Sequence, residues 1–344
     1  MINQMESLLH TAQTYGYGAE QPPAISDTVF VGFGYFCGMW VVELIAKALL
    51  PRSGSILGNA RNRGILARGV TNTACFAYMG WMGLYCLSAL GGWSAYSAAA
   101  PMAAAGTDMA AVASGDGVAS LLGGDQASTT YGSSARLYAY SPMSQRLVLF
   151  TLSFQSKNLI DTIVHNDGFV FVVHHVATGL LAVLALRPYL HLYAPFFFGI
   201  SEISTLWIGV LVMFDENHGI KELGERFPNV MSFTGVVFAV KFILLRIVVW
   251  PLVCLHFWRD GLAQLGYYGN DTGGGSLESS VGKGVAPMHS KAVVLLFLVV
   301  NIGLTSLQVL WLKEIIDNAL VLVKGGKISG SSSSSGSALK PKEA

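Results

Sequence analysis

Seven apolar runs of about twenty residues constrain this chain more than any other feature. They fall at about 28–50, 66–90, 147–165, 168–187, 193–214, 231–257 and 291–313. A helix of that length crosses the hydrocarbon core of a bilayer. Lipid offers no partners to backbone N–H and C=O groups, so a spanning segment must be a helix or part of a closed barrel. The runs are continuously apolar and lack the alternation of barrel strands, which leaves helices. Only 12% of the residues are charged, against roughly 25% in soluble domains. The expectation is an all-α polytopic membrane protein, a bundle of about seven transmembrane helices. A net charge of +1 gives no broad basic surface for nucleic acid. Cys37, Cys75, Cys86 and Cys254 all lie within apolar runs and suggest neither a disulfide framework nor a metal site.

Residues 1–27 hold Glu6, Glu20 and Asp27 but no Lys or Arg. No cleaved signal peptide is expected there, and the first span serves as the insertion signal. The first transmembrane helix is read at 28–50, a helical bundle at 66–260, the last transmembrane helix at 291–313 and a disordered tail at 314–344. Residues 91–145 are rich in Ala, Gly and Ser and read as a flexible insertion, with weak helix potential at Met102–Ser114. The Gly330–Ser337 stretch "GSSSSSGS" reads as a flexible linker. Loop cations divide eleven to six between the two sides. By the positive-inside rule the N-terminus is lumenal and the C-terminus cytosolic. Lys340 and Lys342 in the terminal "KPKEA" then resemble a dilysine signal. Such a signal implies residence in the endoplasmic reticulum membrane and retrieval by COPI-type machinery.

Ionisable residues inside spans mark functional sites by default. Lys157 and Asp161 stand at i and i+4 on the third span, on one helix face, with His165 a further turn on. The adjacent His174 and His175 lie in the fourth span, with Thr178 one turn later. Glu202 lies in the fifth span, and Lys241 and Arg246 lie in the sixth. The short "NDG" link makes spans three and four an antiparallel hairpin turning near Asp167, a residue also suited to cap the fourth helix. At 1.5 Å per residue, His174 lies about 10 Å from that turn and Asp161 about 9 Å. The register predicts a polar cavity shared by three or four helices and opening toward the cytosol. Two adjacent histidines point about 100° apart, so at least one faces the bundle.

"HNDGFVFVVHHVATG", followed by "GISEIST", resembles the TLC domain shared by ceramide synthases and several other lipid-related membrane proteins. The resemblance rests on Asp161, Asp167, His174, His175, Thr178 and Glu202. It implies a catalytic set of His174, His175, Glu202 and Asp161. Lys157, Asp167, Thr178, Lys241 and Arg246 would contact substrate. The implied reaction moves an acyl chain from acyl-CoA, as co-substrate, to the amine of a sphingoid base or another lipid, with no bound cofactor. A neutral imidazole suits that chemistry as base or nucleophile. Ceramide synthases carry a His-Asp step where Ser201 and Glu202 stand here, and a further Asp where Thr205 stands. A non-catalytic lipid-binding regulator of membrane lipid composition on the same scaffold therefore stays open. So does a proton-coupled carrier, ranked last because no broken helix is evident.

Overall fold

The computed structural model describes residues 25–54, 56–90, 92–93, 137–138, 140–187, 189–215, 219–266 and 290–323. The expected insertion at 91–145 falls almost wholly outside these residues. So do the linker at 330–337, Lys340 and Lys342, and most of the N-terminal segment. Among the described residues the regular structure is helical, without strands.

Helices α1 (Ile25–Leu49), α2 (Ala60–Ala89), α3 (Pro142–His165) and α4 (Phe169–Ala185) come first. Next come a π-helical segment, Pro195–Ile200, and α5 (Glu202–Val212), which continues it. After the short α6 (Lys221–Arg226), one long helical body holds α7 (Pro228–Phe242), a π-helical segment at Ile243–Val249 and α8 (Trp250–Leu265). The last helix is α9 (Lys291–Val323). Every span read from the sequence falls on helix. Among the described residues, four bodies are long and apolar enough to cross a membrane: Ser26–Leu49, Pro195–Val212, Pro228–Leu265 and Lys291–Asp317. Phe169–Ala185 is apolar but shorter. Three charged residues in α3, Arg146, Lys157 and Asp161, lower its mean apolarity. The expected continuous helices are a point of difference, because π turns interrupt both the fifth and the sixth span.

Local chemistry fixes the ends of these helices. The side chain of Asn59 accepts from Arg61 N–H at the start of α2, at 2.8 Å. Ser141 Oγ accepts from Ser144 N–H at the start of α3, at 3.2 Å, and Pro142 stands in the first turn. These are ordinary N-cap arrangements. Helix α3 ends at Asn166 in the left-handed region (φ 56°), and Gly168 follows with φ 113°. Asn and Gly are the residues that tolerate such angles, so "NDG" specifies the hairpin. The N-cap of α4 is Gly168, without a side-chain cap, and not the Asp167 that the sequence suggested.

Packing then joins the pieces. Helices α3 and α4 pack along their length, α1 lies on α2 and α3, α2 packs on α5 and the segment before it, and α9 packs chiefly on α8. Gly83 and Gly199 let backbones meet: a Cβ on Gly199 would lie 2.6 Å from the Gly83 Cα. Close approach at small residues is a usual way for helices to associate in lipid. Large apolar side chains such as Phe30, Val164, Phe169 and Leu255 point outward, as a lipid-facing surface requires.

Candidate functional site

A cavity lies inside the bundle, walled by α2, α3, α4, α9, the helical body 228–265 and the 195–212 helix. Phe197, Trp250, Phe257, Phe297 and Leu304 form much of its apolar wall. Gln155, His174, Thr178, Glu202, Arg246 and Gln308 supply its main polar groups. Near His174 the Trp311 ring lies 6.0 Å from the imidazole. Toward the other end Phe297 rests edge-on against Tyr189, with centroids 4.9 Å apart. From Phe297 to Gln308 along α9 the rise is about 16 Å. The cavity is therefore long, with a polar end at His174 and Gln308 and an apolar end at Phe297. Its free space is about 50 Å³ as the region open to the centre of a water-sized sphere.

The two histidines take different roles. His175 Nδ1–H donates to Gln155 Oε1 on α3 at 2.6 Å. That bond ties α4 to α3. His174 faces the cavity, and its Nδ1 is buried without a hydrogen-bond partner. The ring centroids of the pair are 5.4 Å apart. Thr178 Oγ–H donates to the His174 carbonyl at 2.7 Å, securing the backbone that carries the ring.

Glu202 and Arg246 form an ion pair across two helices, 3.1 Å from Glu202 Oε1 to an Arg246 terminal nitrogen. The same nitrogen donates to Thr205 Oγ1 at 2.9 Å, and Arg246 Nε donates to Ser201 O and Ser204 Oγ, both at 3.2 Å. Thus "SEIST" reads as a cradle for one guanidinium. The π turns explain how the two meet. Glu202 follows directly on Pro195–Ile200, and Arg246 lies within Ile243–Val249. Each wide turn re-aims the residues after it, and π turns are frequent at functional sites.

Lys157 and Asp161 lie elsewhere. Lys157 is 0% exposed and bridges Asp161, at 2.6 Å, and Glu43 on α1, at 2.8 Å. Its ammonium also sits 4.9 Å from the Trp40 ring centroid. This cluster fastens α1 to α3 and does not line the cavity. Asp167 sits on the α3–α4 turn and Lys241 is half-buried on α7; neither lines the cavity. His165 is exposed at the end of α3.

Of the residues named from the sequence, the fold gathers His174, Thr178, Glu202 and Arg246 at the cavity, with His175 one hydrogen bond behind. Sequence reasoning passed over Gln155, Asn301, Gln308 and Glu43. Asn301 and Gln308 did leave a trace, as polar residues two turns apart in an apolar run. Among the described residues no cluster of His, Cys, Asp and Glu fits a metal ion. The family model of the TLC domain matches residues 120–317, more than half of the chain and α3 through most of α9. No curated protein matches the chain. No solved structure matches it either.

Proposed function

The chain belongs to the TLC-domain family, as a multi-pass membrane protein of lipid metabolism or regulation, and from that premise we propose that it catalyses acyl-CoA-dependent N-acyl transfer to a lipid held in the cavity, with His174 as the base. One observation carries the reading: His174, which lines a largely apolar cavity, has a buried imidazole nitrogen without a hydrogen-bond partner. The amine nitrogen attacks the thioester carbonyl carbon. His174 Nδ1 takes the proton the amine loses, the C–S bond breaks, and the proton passes on to the leaving thiolate. His175 acts through its bond to Gln155 and holds α4 in place. Glu202 is held by Arg246 and contributes a fixed dipole beside the cavity. The same reading takes the bundle to cross the membrane seven times. It sets the N-terminus in the lumen of the endoplasmic reticulum and the C-terminus, with Lys340 and Lys342, in the cytosol for retrieval.

A second reading has its own support. The Glu202–Arg246 pair consumes the carboxylate closest in role to a histidine partner. His174 is then left with no acid to stabilise its cation. That arrangement suits a lipid-binding regulator that senses composition without turnover.

The full chain would be purified in nanodiscs with long-chain acyl-CoA and long-chain amine acceptors. Release of CoA and the intact mass would be followed. N-acyl transfer that falls at least about 100-fold in His174→Ala supports the first reading. Turnover that survives this substitution removes the base role. Lipid binding without any CoA release points to the regulator.

A further inference from the structure

Cations gather where α1 ends and α2 begins. Lys47 stands in the last turn of α1, and the first turn of α2 has no acidic residue. Arg61, Arg63 and Arg68 follow, and no Asp or Glu occurs anywhere from 44 to 107. Arg63 serves the fold. Its guanidinium donates to Leu57 O at 2.7 Å and to Gly58 O at 3.0 Å, while Asn62 Nδ2 donates to Ile56 O at 3.0 Å. These bonds lay the connecting loop on α2. The other cations are placed differently. Arg61, Gly64 and Arg68 share one face of α2, at spacings of three and four residues. Gly64 adds no side chain to that face, and the Lys47 ammonium lies 4.0 Å from the place its Cβ would take. Lys47 is thus set between two arginines that stand about 10 Å apart along the helix axis. Among the described residues, none of these three side chains makes an ion pair or a hydrogen bond. Glu43, one turn before Lys47 on α1, is already bridged to Lys157.

Three like charges brought together without a counter-charge repel one another. An anion held among them removes that repulsion, and the arginine fork matches phosphate oxygens. Position names the source of the phosphate. The triad stands at the ends of two helices with apolar outer faces, where Leu44, Ile45 and Leu49 on α1 and Val70 on α2 are exposed. A soluble anion gains nothing from that apolar flank. A phospholipid uses both parts, with its head among the cations and its acyl chains along the helices. We infer that Lys47, Arg61 and Arg68 form a head-group site for an anionic phospholipid on the outer surface of the bundle, between α1 and α2. The bound head ties the end of α1 to the start of α2. None of the three residues lines the internal cavity, so the inference stands apart from the chemistry proposed there.

Native mass spectrometry of the full chain in detergent, with phosphatidic acid and phosphatidylcholine of the same acyl chains, tests it. Phosphatidic acid should bind at least about tenfold more tightly, because each basic side chain near a lipid head adds to the attraction. Added salt should shrink the difference. Lys47→Gln, Arg61→Gln and Arg68→Gln should each remove part of the preference, and together all of it. The triple variant Lys47→Arg, Arg61→Lys and Arg68→Lys keeps every charge and should retain most of it, which separates loss of charge from loss of fold. Equal binding of the two lipids, or a preference unchanged in all the glutamine variants, would overturn the inference. Displacement of phosphatidic acid by inorganic phosphate at matched concentration would also overturn it, since the site would then be one for soluble anions. So would displacement by acyl-CoA and not by phosphatidylinositol, since the patch would then belong to the co-substrate.

Discussion

His174, within α4, and His191, six residues past its end, solve the problem of a buried imidazole in opposite ways. His191 is fully buried in the segment that links α4 to the next helix. Its Nδ1 accepts from Ser141 N–H at 3.0 Å, and its Nε2–H donates to Ala185 O at 2.8 Å. Both nitrogens are used, the tautomer is fixed, and the ring joins the start of α3 to the end of α4. His174 has a buried nitrogen with no partner, beside a cavity. The Lys157 cluster belongs with His191, since its ammonium meets two carboxylates and an indole face. Polar groups that the fold satisfies internally hold helices together. The open nitrogen of His174, a residue of the cavity wall, is available to a ligand.

Substitutions can break this contrast. The largest effect is expected from Lys157→Met, which strands Glu43 and Asp161 in the bundle without their shared cation. Removing one partner of a buried ion pair costs about 3–5 kcal/mol. Thermal unfolding in detergent should show it as a large drop, and a variant that also carries Glu43→Gln and Asp161→Asn should recover much of it.

His191 gives the next effect, through pH. Burial pushes its imidazole down to about 4, from an ordinary value near 6.5. The unfolded chain therefore binds the proton more readily between those values. The stability tied to this ring is fully present above about pH 6.5 and is lost as pH falls toward 4, by roughly 3 kcal/mol in all. His191→Gln should flatten that part of the stability profile. An identical slope in both proteins would remove His191 from the account.

His174→Ala should act the other way round, with little change in melting temperature and acyl transfer lower by at least about 100-fold. If it unfolds the protein as Lys157→Met does, the contrast between satisfied and open groups fails. The smallest effect is expected from Thr178→Val, which deletes the hydroxyl bond to the His174 carbonyl. About 1 kcal/mol or less of stability should go, and any change in activity should stay within a few-fold.

Much of this was legible in the sequence. The runs gave the helices, "NDG" gave the hairpin, and i,i+4 spacing gave the Lys157–Asp161 pair. The adjacent histidines could be read as one facing inward, because neighbours on a helix diverge by about 100°. Glu202 and Arg246 were both named, yet nothing local says that they meet. That contact depends on two π turns, which shift helical phase without any sequence mark. For the same reason Lys241 and Arg246 looked alike, although only Arg246 reaches the cavity. Glu43 was hidden because its partner lies on a helix far along the chain. Gln155 was hidden because an uncharged amide attracts little notice, and Gln308 left only a faint trace beside Asn301. His191 fell between spans, where a histidine is unremarkable until the fold encloses it.

The π segments at Pro195–Ile200 and Ile243–Val249 also make residue count part of the site. Removing any one residue there would let the helix relax to ordinary α geometry and rotate everything on one side by about 100° relative to the other. Composition, hydropathy and insertion into the membrane would hardly change. The Arg246 guanidinium would nonetheless turn away from its carboxylate. At these two places the spacing carries information that no single side chain holds, so a one-residue deletion would be more damaging than many substitutions.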